Sequence, residues 1–136
     1  MMAQTQYAVV TSIESIIPAG LGRSRMIANK EDLNTANFTT KRTDGTKSDM
    51  GTVKREDIKI DNFEETKLLN FFSISGINFQ NIASNDAMIS AKLNEMAAAG
   101  WELAFVTAGV ESDSGTTDGE GILVTRYILK RSDSHK

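Results

Sequence analysis

The sequence predicts an α+β domain: a small antiparallel sheet of three to four strands, one main helix packed on one face, and a polar excursion between the first strand and the helix. Three observations carry that expectation. Tyr7–Ile17, Trp101–Val110 and Ile122–Lys130 are apolar runs rich in β-branched residues at alternating positions. One stretch alone, Asp86–Ala99, sets its apolar residues at helical spacing. A polar, glycine-containing loop joins the last two runs, and adjacent strands joined this way form an antiparallel pair. At 136 residues, 40% apolar and 24% charged, the chain reads as a single domain with enough apolar residues for its own core.

The first strand holds Val9, Thr11, Ile13 and Ile17 on one face, and Pro18, Gly20 and Gly22 stop it. From 29 to 60 the composition turns to Thr, Asp, Lys and Asn, too polar to offset its own ordering entropy, and predicts a mobile excursion from the sheet. Within it Thr43-Asp44-Gly45-Thr46 has the chemistry of a hairpin turn, and Ile58-Lys59-Ile60 reads as a short extended piece. Phe63–Ser75 suits either element. Asn62 and Glu65 resemble a capping box and Gly76 a helix stop, which favours helix, although Phe71, Phe72 and Ile74 also suit a strand.

For the main helix, Ser84 or Asn85 is the expected cap, Ile89, Leu93, Met96 and Ala97 the core stripe, and Gly100 the stop. Alternation in the next strand places Trp101, Leu103 and Phe105 toward the helix and Ala104, Val106, Ala108 and Val110 on the other face. In the last strand Leu123, Tyr127 and Leu129 share one face and Ile122, Val124 and Ile128 the other. A sheet with one wet face shows clean polar alternation, and this one does not. The second face is therefore expected to be covered, by the excursion or by a second subunit. Ala104, Val106, Ala108, Ile122, Val124 and Ile128 are the expected interface of a homo-oligomer. Residues 132–136 read as a frayed tail.

Composition narrows function mostly by exclusion. The chain has no cysteine, and its one histidine is His135, so thiol chemistry, thiolate metal sites and a well-held histidine base are all excluded. No cofactor, metal site or catalytic constellation stands out, and the reading leans against an enzyme. A net charge of −3 argues against nucleic acid as a partner. No run suits a membrane span or leader, so no membrane partner and a cytoplasmic location are expected.

Three local patterns invite a ligand. Gly20, Gly22, Arg23, Ser24 and Arg25 combine turn-forming glycines with fork-shaped donors that suit a small anion, although the pattern matches neither a phosphate loop nor a dinucleotide fingerprint. The alternative is a turn whose arginines pair with carboxylates of the same chain or of a partner subunit. Glu111, Asp113, Asp118 and Glu120 lie in one loop without the spacing of a calcium site, and read as a solvated hairpin loop. The amides of Asn78, Gln80, Asn81 and Asn85 could read a polar ligand by paired hydrogen bonds, but suit better the backbone groups of an irregular loop entering the helix.

Leu93-Asn94-Glu95-Met96-Ala97-Ala98-Ala99-Gly100-Trp101-Glu102-Leu103, followed by Tyr127-Ile128-Leu129-Lys130-Arg131, resembles a family of small bacterial domains of unknown function. In its longer form, with Gly20–Arg25 and Asn78–Asp86, the chain is similar to conserved hypothetical proteins of the Bacteroidetes type. The resemblance covers Asp86–Arg131 well and Tyr7–Ile17 loosely, is silent over 29–80, and implies no catalytic residues. The expected function is thus a non-catalytic cytoplasmic domain that self-associates through the second face of its sheet. A small-anion-binding regulatory or sensor module using Gly20–Arg25 is the alternative, and a small enzyme with carboxylate catalysis a minor one.

Overall fold

The computed structural model describes residues 4–17, 22–111 and 121–132, which form two compact units: 29–63, and the remainder of the chain. The larger unit is built on a five-stranded sheet. Its strands are β1 (Thr5–Ser15), β2 (Arg25–Asn29), β3 (Phe63–Lys67), β6 (Glu102–Glu111) and β7 (Ile122–Ser132), in the order β3-β2-β1-β7-β6. β1 runs antiparallel to both β2 and β7, and β7 to β6. A two-residue hairpin, β4 (Phe72–Ser73) and β5 (Gly76–Ile77), leads into the helix α2 (Phe79–Ala98).

The α+β class and the antiparallel sheet agree with the sequence; the strand count does not. Three or four strands are expected, whereas the main sheet has five and the described residues hold seven in all, because β2 to β5, at two to five residues each, are too short to show a period. β2, Arg25-Met26-Ile27-Ala28-Asn29, closely follows the turn at Gly22. β3, Phe63-Glu64-Glu65-Thr66-Lys67, is a charged edge strand where a helix was expected. Glu65 there serves a cross-strand ion pair with Arg25, 2.8 Å, instead of closing a capping box.

α2 begins seven residues before the expected start. Asn78 caps it, its side chain accepting from the Asn81 amide at 3.0 Å, so the Asn-rich segment is the first turns of the helix and not a loop. Ile89, Leu93 and Met96 pack on the buried cluster of Val10, Met26, Leu68 and Leu129, together with Ala28, Trp101 and Tyr127. Ala97, expected in that stripe, is exposed. The helix ends at Gly100, whose φ of 93° only glycine adopts without strain.

The smaller unit, 29–63, buries no side chain. It holds two 3-10 turns, Thr35–Phe38 and Met50–Thr52, and one helical turn, α1 (Arg55–Ile58). α1 takes Ile58, the first residue of the piece expected to be extended, while Lys59 after it is extended. The expected hairpin turn at Asp44 is an isolated turn without flanking strands, its carboxylate accepting from the Thr46 amide and hydroxyl at 3.0 and 2.8 Å. The Glu31 carboxylate closes the base of the unit by accepting from the Asp61 and Asn62 amides at 3.0 and 2.8 Å.

β6 departs from the simple alternation. Leu103 pairs with Leu129, but Phe105 pairs with Ile128, so Ala104 is an extra residue and the strand bulges. An extra residue moves every later side chain to the opposite face. Val106, Ala108 and Val110 consequently lie on the helix side, beside Tyr127, Thr125 and Leu123, while Phe105 faces away from the helix. The expectation that Phe105 accompanies Leu103 toward the helix is corrected accordingly.

Candidate functional site

The face of the sheet away from α2 is assembled from four strands in register. Phe105, Ile128 and Val9 form one row, Thr107, Arg126, Thr11 and Ile27 the next, and Gly109, Val124, Ile13 and Arg25 a third. Glu102, Lys130 and Tyr7 close one end. Tyr7 is 65% exposed, Phe105 56% and Val9 41%, high values for apolar side chains in the middle of strands. The charges sit mostly at the margin, where Lys130 pairs with Glu102 at 3.4 Å and Arg25 with Glu65. Around Gly109 the absent side chain leaves a shallow depression lined by Thr107, Val124, Arg126 and Glu111.

The expected interface residues divide. Ile122, Val124 and Ile128 do lie on this open face, whereas the bulge turns Val106 and Ala108 to the helix side, and Ala104 is the bulged residue itself. Tyr7, Val9, Ile27, Phe105 and Gly109 belong to the open face and were not among the expected residues. The alternation of Tyr7 and Val9 with Thr11 and Ile13 was the available signal for the first two.

The described part of the Gly20–Arg25 segment, Gly22–Arg25, makes contacts within its own chain. Gly20 lies outside the described residues, and Gly22 takes a φ of 82° at the turn into β2. Arg25 donates to Glu65 and to the Gly22 carbonyl. Ser24 is buried; its hydroxyl accepts from the Ser15 amide at 2.9 Å and reaches the Asn70 side chain at 3.5 Å. Arg23 also has interactions of its own. The donors an anion would need at Ser24 and Arg25 are thus engaged, as in the alternative reading of this turn. Asp113, Asp118 and most of the acidic loop lie outside the described residues, and no group of three or more metal-ligating side chains occurs among those described.

Between α2 and the sheet sits a buried polar cluster that sequence reasoning missed. Asn85, 1% exposed, replaces an apolar residue in the helix stripe. Its side chain accepts from the Leu69 amide at 2.7 Å and donates to the Leu69 carbonyl at 2.8 Å and to Glu14 at 3.0 Å. Asn81 donates to the Asn70 carbonyl at 2.9 Å, and Asn70 to the Ile17 carbonyl at 3.3 Å. These amides satisfy the backbone of Leu69 and Asn70, between the Leu68 and Phe71 amides that donate to the Ser24 and Ser15 carbonyls. Burial pushes the Glu14 carboxyl above its ordinary range, the Asn85 hydrogen bond opposes that, and the nearby Asp86 charge adds to it. Burial likewise raises the Tyr127 hydroxyl; its contact with Ser12 works against this, and Glu14 and Asp86 add to it.

The helix-to-strand corner has a purely structural account. The Arg131 guanidinium lies 4.4 Å over the Trp101 ring, donates to the Ala99 carbonyl at the end of α2 at 3.0 Å, and donates to Gln6 of β1 at 3.1 Å. The Gly-Trp-Glu-Leu junction and the distant Lys-Arg pair are therefore two halves of one clamp, Lys130 on Glu102 and Arg131 on Trp101. Comparison with protein-family models, with curated proteins and with solved structures finds no match for the chain.

Proposed function

We propose that this chain is a self-associating domain whose assembly surface is the second, open face of its sheet. One observation carries the reading: an apolar face built from Tyr7, Val9, Ile13, Ile27, Phe105, Val124 and Ile128 lies opposite the helix, with Tyr7, Val9 and Phe105 more than two-fifths exposed. Its size suits a second copy. Three strands of ten or eleven residues, at about 4.8 Å spacing and about 3.3 Å per residue, present roughly 500 Å² in projection. The accessible area of a corrugated sheet is larger, near the about 800 Å² per partner that a standard stable interface buries. Most of the charge lies at the margin in pairs of opposite sign, Lys130 with Glu102 and Arg25 with Glu65, while Arg126 stands within the face between Thr107 and Thr11.

The test is Tyr7→Asp combined with Val9→Asp, both on the open face and outside the buried cluster. Light scattering should give a smaller species for the variant than for the wild-type protein, with unchanged far-UV circular dichroism. A variant of wild-type mass would remove the open face as the assembly surface.

A further inference from the structure

The two edges of the sheet differ sharply, and the difference marks a second contact. β3 ends the sheet with five residues, three of them charged (Glu64, Glu65 and Lys67), the usual protection of an edge against pairing. β6 ends it on the other side with ten residues, all of them exposed and uncharged from Leu103 to Val110, with neither proline nor lysine. Leu103, Phe105, Val106 and Val110 are among the most exposed apolar side chains of the described residues, and they occur on both faces of the strand. Burying the open face covers Phe105 and leaves Leu103, Val106 and Val110 in water. Pairing along the edge covers both faces.

We infer that β6 pairs antiparallel with β6 of a second copy, in the register that sets Thr107 opposite Thr107, making one continuous ten-stranded sheet. Symmetry restricts the choice. Two identical antiparallel strands are related by a twofold axis normal to the sheet, and opposite side chains share a face, so the paired residue numbers must sum to an even value. The fully overlapped register, Glu102 opposite Glu111, violates this and sets like charges face to face at both ends. Centring one residue toward the C-terminus, on Ala108, places Phe105 against Glu111. Centring on Val106 sets the bulged Ala104 opposite Ala108 and so ends the regular pairing one residue from the centre.

Centring on Thr107 places Val106 opposite Ala108 on the helix side and Phe105 opposite Gly109 on the open side, each pair occurring twice. An aromatic across from a strand glycine covers the backbone that glycine exposes. Here the glycine is also the floor of the depression lined by Thr107, Val124 and Arg126, and a Cβ built on Gly109 meets no atom within 4 Å. The Phe105 ring of one copy fills the depression of the other. This contact is separate from the open-face contact and does not depend on it.

The absence of cysteine from the chain makes the register directly measurable. Opposite residues of an antiparallel pair have Cα atoms about 4.5–5.5 Å apart, within disulfide reach, whereas stacked faces hold theirs about 10 Å apart, beyond it. Under mild oxidation at low concentration, Thr107→Cys should become a disulfide-linked dimer, while Lys67→Cys on the charged edge sets the collisional background. Adding Gly109→Val, which the free monomer has room for, should slow cross-linking about tenfold through loss of both Phe105 contacts. Adding Tyr7→Asp and Val9→Asp, both on the open face but outside the depression, should leave it intact. Thr107→Cys cross-linking no faster than Lys67→Cys would overturn the edge contact. Cross-linking insensitive to Gly109→Val would overturn the register.

Discussion

Arg131 is the residue on which the helix-to-strand corner turns. Its guanidinium joins Trp101, the Ala99 carbonyl that caps α2 and Gln6 of β1 in one place. Arg131→Ala should cost about 1–2 kcal/mol, the sum of a partly exposed cation–π contact and a charged hydrogen bond, read as a fall in the thermal midpoint. Arg131→Lys should recover only part, since an ammonium cannot stack and fork at once. Glu14 makes a different prediction. Its carboxyl is raised in the folded protein, so the native state binds more protons than the unfolded state just above the ordinary carboxyl range. Stability from this group is then greatest below its unfolded value of 4.5 and falls as pH rises through the higher folded value. Glu14→Gln keeps an acceptor for Asn85 and removes the charge. It should raise the unfolding midpoint at pH 7 and leave it nearly unchanged at pH 4. An equal shift at both would assign the effect to packing instead of ionisation.

At the scale of elements, β1, β6, β7 and the core stripe of α2 were legible because each repeats its period over ten or more residues. What escaped was short or locally contradictory. β2 and β3 have five residues each, and β3 carries three charges because an edge needs them. The bulge at Ala104 leaves no mark on composition, yet it decides which face Phe105 and Val106 occupy. Asn85 was read as a cap because asparagine usually is one; its burial answers to the backbone of Leu69, a contact sixteen residues away. The open face was half legible, from the missing polar alternation in β7, but its membership depended on the bulge. Gly121 offers a sharp check on the β1–β7 register. It takes a φ of 65°, its carbonyl accepts from the Ile16 amide at 2.7 Å, and a Cβ there would overlap the Ile17 side chain. Gly121→Ala should destabilise by about 2 kcal/mol or more in a denaturant titration.

For the whole molecule, the excursion and the sheet are separable in the chain. Ser24 receives the Leu68 amide at 3.1 Å and Asn62 receives the Lys30 amide at 3.1 Å, so β2 and β3 run antiparallel and the chain re-enters beside where it left. Replacing residues 31–61 with Asn-Gly should leave the sheet folded and raise its stability by on the order of 2 kcal/mol, because a long closure becomes a hairpin turn. Loss of the fold would instead assign 29–63 a part in the core. The larger consequence concerns assembly. A sheet with one apolar face open and one uncharged edge exposed has two routes to bury what water now contacts, and two perpendicular twofold contacts close into a tetramer.

Sedimentation equilibrium of the wild-type protein from about 1 to 100 µM, a range that brackets a micromolar dissociation constant, tests self-association most directly. Mass rising with concentration toward a dimer or a closed tetramer is the predicted result. A single monomeric species across the whole range would contradict it.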